Sequence, residues 1–416
     1  MKQGLILFFI ITFSNIGLQA QLYDEVSSGA QYSQQAYYNL STGAVQVVSN
    51  DAWDIAFSNI GQTDAGVFIN ESASLSASPV KLFLAPTTDW NQPITDISIF
   101  YDSLQLYNKE ANWTDGAFNE VKNPNDPFDY GWGKYNPQNH QIVGDKVYVV
   151  KKRNGEFVKL KVDSYRGGYY YFRYAQLDNS NEVIDSVART TNGVNSIVHY
   201  SLDSKKIVNI SNDYDLVFLR YITPLEDTPG VFLDYSVTGF LLAPGTQAVV
   251  ADGVDVSTVN EEDYASGYSS APTTIGHEWK SYDFTSGWII DEDRANFVKT
   301  KNGDKYKLVF VDFSGSGTGT VTVERTKLAT NKVQKSMKIV DMQCFPNPVS
   351  DVINIHVPKN EQVLVRLMNS LGQTVLSKES NSNQPIHLPA NIESGIYRII
   401  MDGRDWRATH SIVVLN

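Results

Sequence analysis

Apolar side chains recur at every second position through much of this chain, the period of a strand that buries one face. Trp53, Ile55 and Phe57 alternate in this way, and Tyr214, Leu216 and Phe218 repeat the pattern further on. Two Asn-Gly pairs, Asn154-Gly155 and Asn302-Gly303, each sit between alternating apolar runs. Such pairs predict hairpins, because the favoured two-residue turn asks for positive φ at both central positions. The tyrosine-rich residues 169–174 and the run 318–323 supply a closing strand after each hairpin. No long stretch of period 3.6 occurs, and only short helices fit residues 99–121. The pattern predicts a mainly β, antiparallel protein.

The pattern also occurs twice. Residues 37–57 (YYNLSTGAVQVVSNDAWDIAF) align with 199–218 (HYSLDSKKIVNISNDYDLVF). Tyr38 falls on Tyr200, Leu40 on Leu202 and Asp54 on Asp215, with Tyr37 opposite His199. Downstream, Trp132 and Tyr135 match Trp279 and Tyr282, and residues 149–160 match 297–308. The order and spacing are kept, so two tandem antiparallel β domains are expected, at 21–185 and 190–328. Asp54 and Asp215 project from the polar face, where a carboxylate most simply accepts amide N–H groups from a neighbouring loop.

The two ends carry addresses. Met1-Lys2 followed by the apolar run 5–13 and a small residue at Ala20 reads as an export signal over 1–20. The run is half the ~20 residues of a membrane span, and no later stretch is apolar enough for one. After a linker at 329–340, alternating strands at 352–357, 363–368, 396–400 and 411–414 form a small C-terminal sandwich, 341–416. Its opening FPNPVSD (345–351), the Leu371-Gly372-Gln373 turn and Gly395-Ile396-Tyr397 resemble the C-terminal sorting domain of the type IX secretion system of Bacteroidota. That resemblance implies recognition by the type IX machinery, removal of the tail, and release or attachment outside the outer membrane. Cys344 is the single cysteine, which excludes an internal disulfide.

The tyrosine-led opening at 37–43, the Trp-Asp-Ile-Ala-Phe strand, the Trp-x-x-Tyr pair and the Lys-x-Asn-Gly hairpin resemble the HmuY family of Bacteroidota. The resemblance implies tandem HmuY-like domains of all-β, hand-shaped form that bind and pass on haem at the cell surface and are not enzymes. In that family two axial side chains, His/His or with Met in relatives, hold the iron. Residues 21–330 contain no Met and three His: His140 in the first domain, His199 and His277 in the second. These three are the candidate haem ligands, with His199 and His277 as a clamp if one pocket receives both, and His140 as a single axial ligand. Trp132, Trp279, Tyr135 and Tyr282 are the candidate ligand-stacking residues, and Trp90 and Trp113 are further exposed-aromatic candidates. The rival reading is a surface adhesion or carbohydrate-binding scaffold that has lost haem ligation.

Composition narrows the remaining classes. Lys and Arg number 34 against 46 Asp and Glu, a net charge of −12 with no basic tail, which argues against nucleic acid. No Gly-x-Ser-x-Gly elbow or His-Glu-x-x-His helix occurs, so no hydrolase is expected. Glu261-Glu262-Asp263 and Asp291-Glu292-Asp293 read as solvated loop runs, and 252–263 lacks the order of a calcium loop. Gly315, Gly317 and Gly319 precede a strand, not a helix, and read as a hairpin loop.

Overall fold

The computed structural model describes residues 22–61, 64–328, 338–369, 373–403 and 406–415. The export signal, residues 329–337 of the expected linker and the Leu371-Gly372 turn lie outside the described residues. The chain divides into two compact units, Met1–Ala329 and Thr330–Asn416.

The first unit is mainly β and has two main cores, here called lobes. Lobe 1 is continuous from 55 to 208. A sheet built on Phe157–Arg166 and Tyr169–Gln176 faces a second one holding Ile55–Asn59 and Ser196–Ser201. Phe57, Trp132, Tyr148, Tyr170 and Phe172 are fully buried between them. Lobe 2 is made of two pieces, 22–49 and 216–327. Its sheets carry Lys305–Phe313 and Thr320–Lys327 on one side and Leu216–Thr228 with Val231–Leu242 on the other, around Tyr38, Phe218, Phe240 and Trp279.

The division at 185–190 expected from the repeats does not separate these cores. Each repeat lends its opening hairpin to the other lobe. Gln34–Tyr38 pairs with Leu216–Thr228, setting Tyr38 opposite Leu216, while Ser196–Ser201 pairs with Ile55–Asn59, setting Tyr200 opposite Ile55. The register is the same in both. The leading strands follow: Leu22–Ser27 closes lobe 2 against Thr320–Lys327, and Val183–Ala188 closes lobe 1 against Tyr169–Gln176. Asp215 accepts the Leu40 N–H at 2.8 Å, and Asp54 accepts the Leu202 N–H at 2.8 Å. Both carboxylates are buried, so each satisfies an amide that water does not reach. A linear repeat cannot show which copy's hairpin a strand will take, because both hairpins present the same apolar face.

The Asn-Gly sites are hairpins of a different kind from the one expected. Gly155 and Gly303 sit at φ 86°, while Asn154 and Asn302 do not have positive φ. Gly155 N–H bonds to Lys152 O and Gly303 N–H to Thr300 O, at 2.9 Å each. The loops therefore hold three residues, with one glycine in the left-handed region. Between 99 and 121 only single 3₁₀ turns form, at Asp102–Leu104 and Ala117–Asn119.

The second unit has a five-stranded sheet containing Gln362–Met368, Gly395–Asp402 and Trp406–Val414, with a three-stranded sheet of Gln343–Phe345, Val352–His356 and Ile386–His387. Ile353, Val365, Met401 and Trp406 fill its core. Cys344 is buried there, and burial pushes its thiol up to about 12, so it acts as a packed apolar side chain.

Candidate functional site: three cavities, one histidine each

The three candidate histidines line three different cavities. His199 lies at the seam between the lobes, in a cavity of about 90 Å³. The edge of its ring meets Trp53 at 4.7 Å between centroids, and Tyr37 lies 6.2 Å away. Tyr37 in turn meets Tyr214 at 4.9 Å. His199 and Tyr37 are aligned positions, as are Trp53 and Tyr214, so the seam is a pair of equivalent aromatic contacts. His199 is 4 % exposed, its Nδ1 has no hydrogen-bond partner, and burial pushes it down to about 3. It is a neutral packing residue here. Glu71, buried in the same cavity, accepts the Asn108 N–H at 2.8 Å, and burial raises it to about 8.

His277 lines a cleft of about 460 Å³ in lobe 2. Its Nδ1 faces the Tyr221 hydroxyl at 3.3 Å, and burial followed by the nearby Lys280 charge lowers its pKa. Tyr221 also lines the seam cavity, so it stands between His277 and His199. The clamp expected from these two histidines is not formed, because the repeat that carries them places one in a seam and the other on the far side of Tyr221.

His140 ends the turn of the hairpin Gly133–Asn136/Gln141–Gly144 in lobe 1, at φ 57°. It is exposed, and its Nδ1 lies 2.6 Å from the Tyr135 hydroxyl. Phe128 stacks on Tyr135 at 5.9 Å and 22°. Tyr130 and Tyr165 complete the wall of a cleft of about 470 Å³. Tyr165 is held in place because its oxygen accepts from Arg189 at 3.1 Å, and Arg189 in turn pairs with buried Asp64. A volume of that size suits a small-molecule ligand, whereas the seam cavity falls well below the ~300 Å³ at which such sites begin.

The tryptophans need correction as stacking surfaces. Trp132 and Trp279 are 0 % and 1 % exposed, and their indole N–H groups donate to Ala65 O at 2.9 Å and Gly276 O at 3.2 Å. They are matched core residues, one per lobe, because the first residue before each short hairpin points inward. Their partners three positions on, Tyr135 and Tyr282, do face the clefts. Trp113 donates to Leu242 O at 2.8 Å across the seam, and Trp90 donates to Glu182 at 2.7 Å with Lys159 over its ring. The acidic runs are also engaged: Glu261 pairs with Lys305 at 2.7 Å and Asp252 with Arg294 at 2.7 Å. Sequence reasoning missed Tyr130, Tyr165, Arg220 and Lys280, none of which lies in a distinctive motif.

With this geometry in hand, comparison gives two family matches. Residues 31–174 match the family described as HmuY protein, and residues 343–415 match the secretion system C-terminal sorting domain. The chain thus carries an HmuY family domain followed by a type IX sorting domain. The sorting domain indicates secretion and attachment at the cell surface, and no helix among the described residues is long and apolar enough to cross a membrane. The HmuY match begins with the hairpin that packs on lobe 2 and ends inside lobe 1, so it crosses both cores. No curated protein matches. Among solved structures, dimeric latent PorU from Porphyromonas gingivalis is 12 % identical over 67 % of this chain and 32 % of its own, with a TM-score of 0.15. The chain therefore spans about a third of that protein's length.

Proposed function

We propose that this is a non-enzymatic surface protein of tandem HmuY-like repeats that binds haem or another porphyrin in the lobe 1 cleft. The observation that carries the reading is the Tyr135 hydroxyl 2.6 Å from His140 Nδ1 in an aromatic cleft within the HmuY match. Tyr135 would supply a phenolate ligand to ferric haem iron, and His140 Nδ1 would stand beside it to take up the proton that iron binding displaces. Tyr130, Tyr165 and Phe128 would lie against the macrocycle. The two-histidine or Met/His set of the family does not fit, since 21–330 has no Met and its three His line separate cavities. A single tyrosinate supported by histidine does fit.

The test is a titration of the full chain with ferric haem, followed through the Soret and visible bands. A saturable high-spin ferric spectrum is expected. Tyr135→Phe abolishes it, His140→Ala weakens it, and His199→Ala leaves it unchanged. Reduction releases the ligand, because a phenolate holds ferrous iron poorly. A spectrum no different from haem mixed with an inert protein discards the porphyrin reading. The alternative, a surface interaction scaffold without haem, is favoured by one feature: Phe284, 97 % exposed at the tip of the hairpin Lys280–Asp283/Gly287–Ile290. Surface retention of partners lost in Phe284→Ser cells would support it.

A further inference from the structure

The lobe 2 cleft has a chemistry that the porphyrin reading does not use. In a chain of net charge −12, this cleft is lined by Arg220, His277 and Lys280 and by no carboxylate. Neither Arg220 nor Lys280 has an ion-pair partner among the described residues. Arg220 donates to the backbone oxygen of Ala73 at 3.0 Å. Lys280 is 8 % exposed and donates to the Thr238 oxygen at 2.5 Å. Both side chains thus reach only neutral carbonyl oxygens, and burial lowers the pKa of each, Lys280 to about 7. Desolvated cations without a counter-charge are costly unless something anionic is bound beside them.

The remaining lining holds three aromatic side chains, Tyr32, Tyr282 and Trp288, beside Leu75, Val237 and the hydroxyl residues Ser236, Thr238 and Ser316. Lys280 Nζ lies 4.2 Å from the Trp279 ring centroid, 5.1 Å from Phe313 and 5.4 Å from Trp288. Trp288 and Tyr282 pack edge to face at 5.2 Å and remain partly open to the cleft. Gly315, at φ +62°, leaves room for Trp288 in this position: a Cβ there would come within 2.6 Å of the indole nitrogen. The cleft therefore combines the open rings of Tyr282 and Trp288 with two basic side chains that have no ion-pair partner among the described residues, in about 460 Å³.

We infer that the lobe 2 cleft is a second binding site, specific for a small carboxylate with a flat aromatic body. Arg220 and Lys280 take the acid group, and Trp288 and Tyr282 take the ring. A hydrogen-bonded ion pair in a partly desolvated site distinguishes an acid from its neutral amide by about tenfold or more.

The probe is naphthalene carboxylate against naphthalene carboxamide, titrated calorimetrically into the full chain. The acid is expected to bind at least about tenfold more tightly than the amide. Arg220→Gln and Lys280→Met each abolish that preference, while Tyr135→Phe leaves it intact. Should Lys280→Met fail to fold, Arg220→Gln decides alone. Equal affinity for acid and amide overturns the inference, as does a preference that survives Arg220→Gln. Loss of acid binding in Tyr135→Phe would move the ligand to lobe 1 and overturn it too. The haem titration reads Tyr135 separately, so failure of one site is not mistaken for failure of the other.

Discussion

The two lobes put the same hairpin to different uses. In lobe 1, Gly133–Asn136/Gln141–Gly144 joins the large sheet, with Ile142 opposite Tyr165 and Val143 opposite Ser164. In lobe 2 the corresponding Lys280–Asp283/Gly287–Ile290 pairs only with itself among the described residues. The aligned tryptophans are followed by Gly133 in one lobe and Lys280 in the other. Opposite them across each hairpin stand Gly144 and Ile290. A Cβ at Gly144 would lie 1.7 Å from Val162 O, and one at Gly133 would lie 2.5 Å from Val143 O. Gly144 lets the lobe 1 hairpin approach the backbone of Phe157–Arg166, whereas the Gly133 approach is between the hairpin's own two strands. The lobe 2 hairpin forms no ladder with a neighbouring strand among the described residues, and Lys280 is buried among Trp279, Trp288 and Phe313.

The largest expected effect comes from breaking that close approach. Gly144→Ala should destabilise the first unit by roughly 3 kcal/mol, since the clash is with backbone and cannot be relieved by a rotamer change. It should also weaken ferric haem binding in the lobe 1 cleft. Urea denaturation of the full chain measures the first effect; an unchanged midpoint would mean that the hairpin is not docked.

The seam sharpens the comparison through pH, because aligned Tyr37 and His199 differ in titration. His199 is pushed down to about 3 in the folded state, below its ordinary 6.5. The unfolded chain therefore binds the proton first, and stability falls as pH drops from about 6.5 towards 3. Glu71 is raised to about 8 from 4.5, so the folded state keeps its proton longer and stability falls as pH climbs from about 4.5 to 8. Each limb carries on the order of 1.4 kcal/mol per pH unit. His199→Phe should flatten the acid limb and Glu71→Gln the alkaline one. Parallel stability curves for wild type and both variants would contradict the burial argument.

The exchanged hairpins predict matched losses. Asp54→Ala and Asp215→Ala each strand one buried amide, at about 1–3 kcal/mol, and the two values should agree closely. A clear inequality, read from thermal unfolding, would show that only one exchange contributes to stability. The smallest effect belongs to the free hairpin: Phe284→Ser should move stability by no more than about 0.5 kcal/mol, because its ring touches little but solvent and Tyr282. A larger drop in melting temperature would mean that this hairpin packs more tightly than its pairing suggests.

Alternation at period two was enough to read strands at Trp53–Phe57's neighbours and their second copies, since a half-buried strand needs little else. Hairpins at Asn154-Gly155 and Asn302-Gly303 were legible for the same local reason, though not their three-residue loops, which depend on where the flanking ladder ends. The capping role of Asp54 and Asp215 was visible from their polar-face positions. What was not visible is that each caps the other repeat. The candidate site divides in the same way. Tyr135, Tyr282, His140 and His277 were found because aromatic pairs and histidines are conspicuous in sequence, and all four line clefts. Arg220 and Lys280 are ordinary basic residues until their surroundings remove every carboxylate.

By itself, then, the sequence determined the antiparallel β class and the sorting tail, both of which rest on contacts between near neighbours or on short motifs. Tertiary structure alone decided the exchange of hairpins between lobes, the burial of Trp132, Trp279 and His199, and the allotment of one histidine to each cavity. These depend on which of two similar apolar faces a strand meets, and on whether a backbone can come within contact of another. Neither quantity is a property of any local stretch of chain, so neither is written in its pattern.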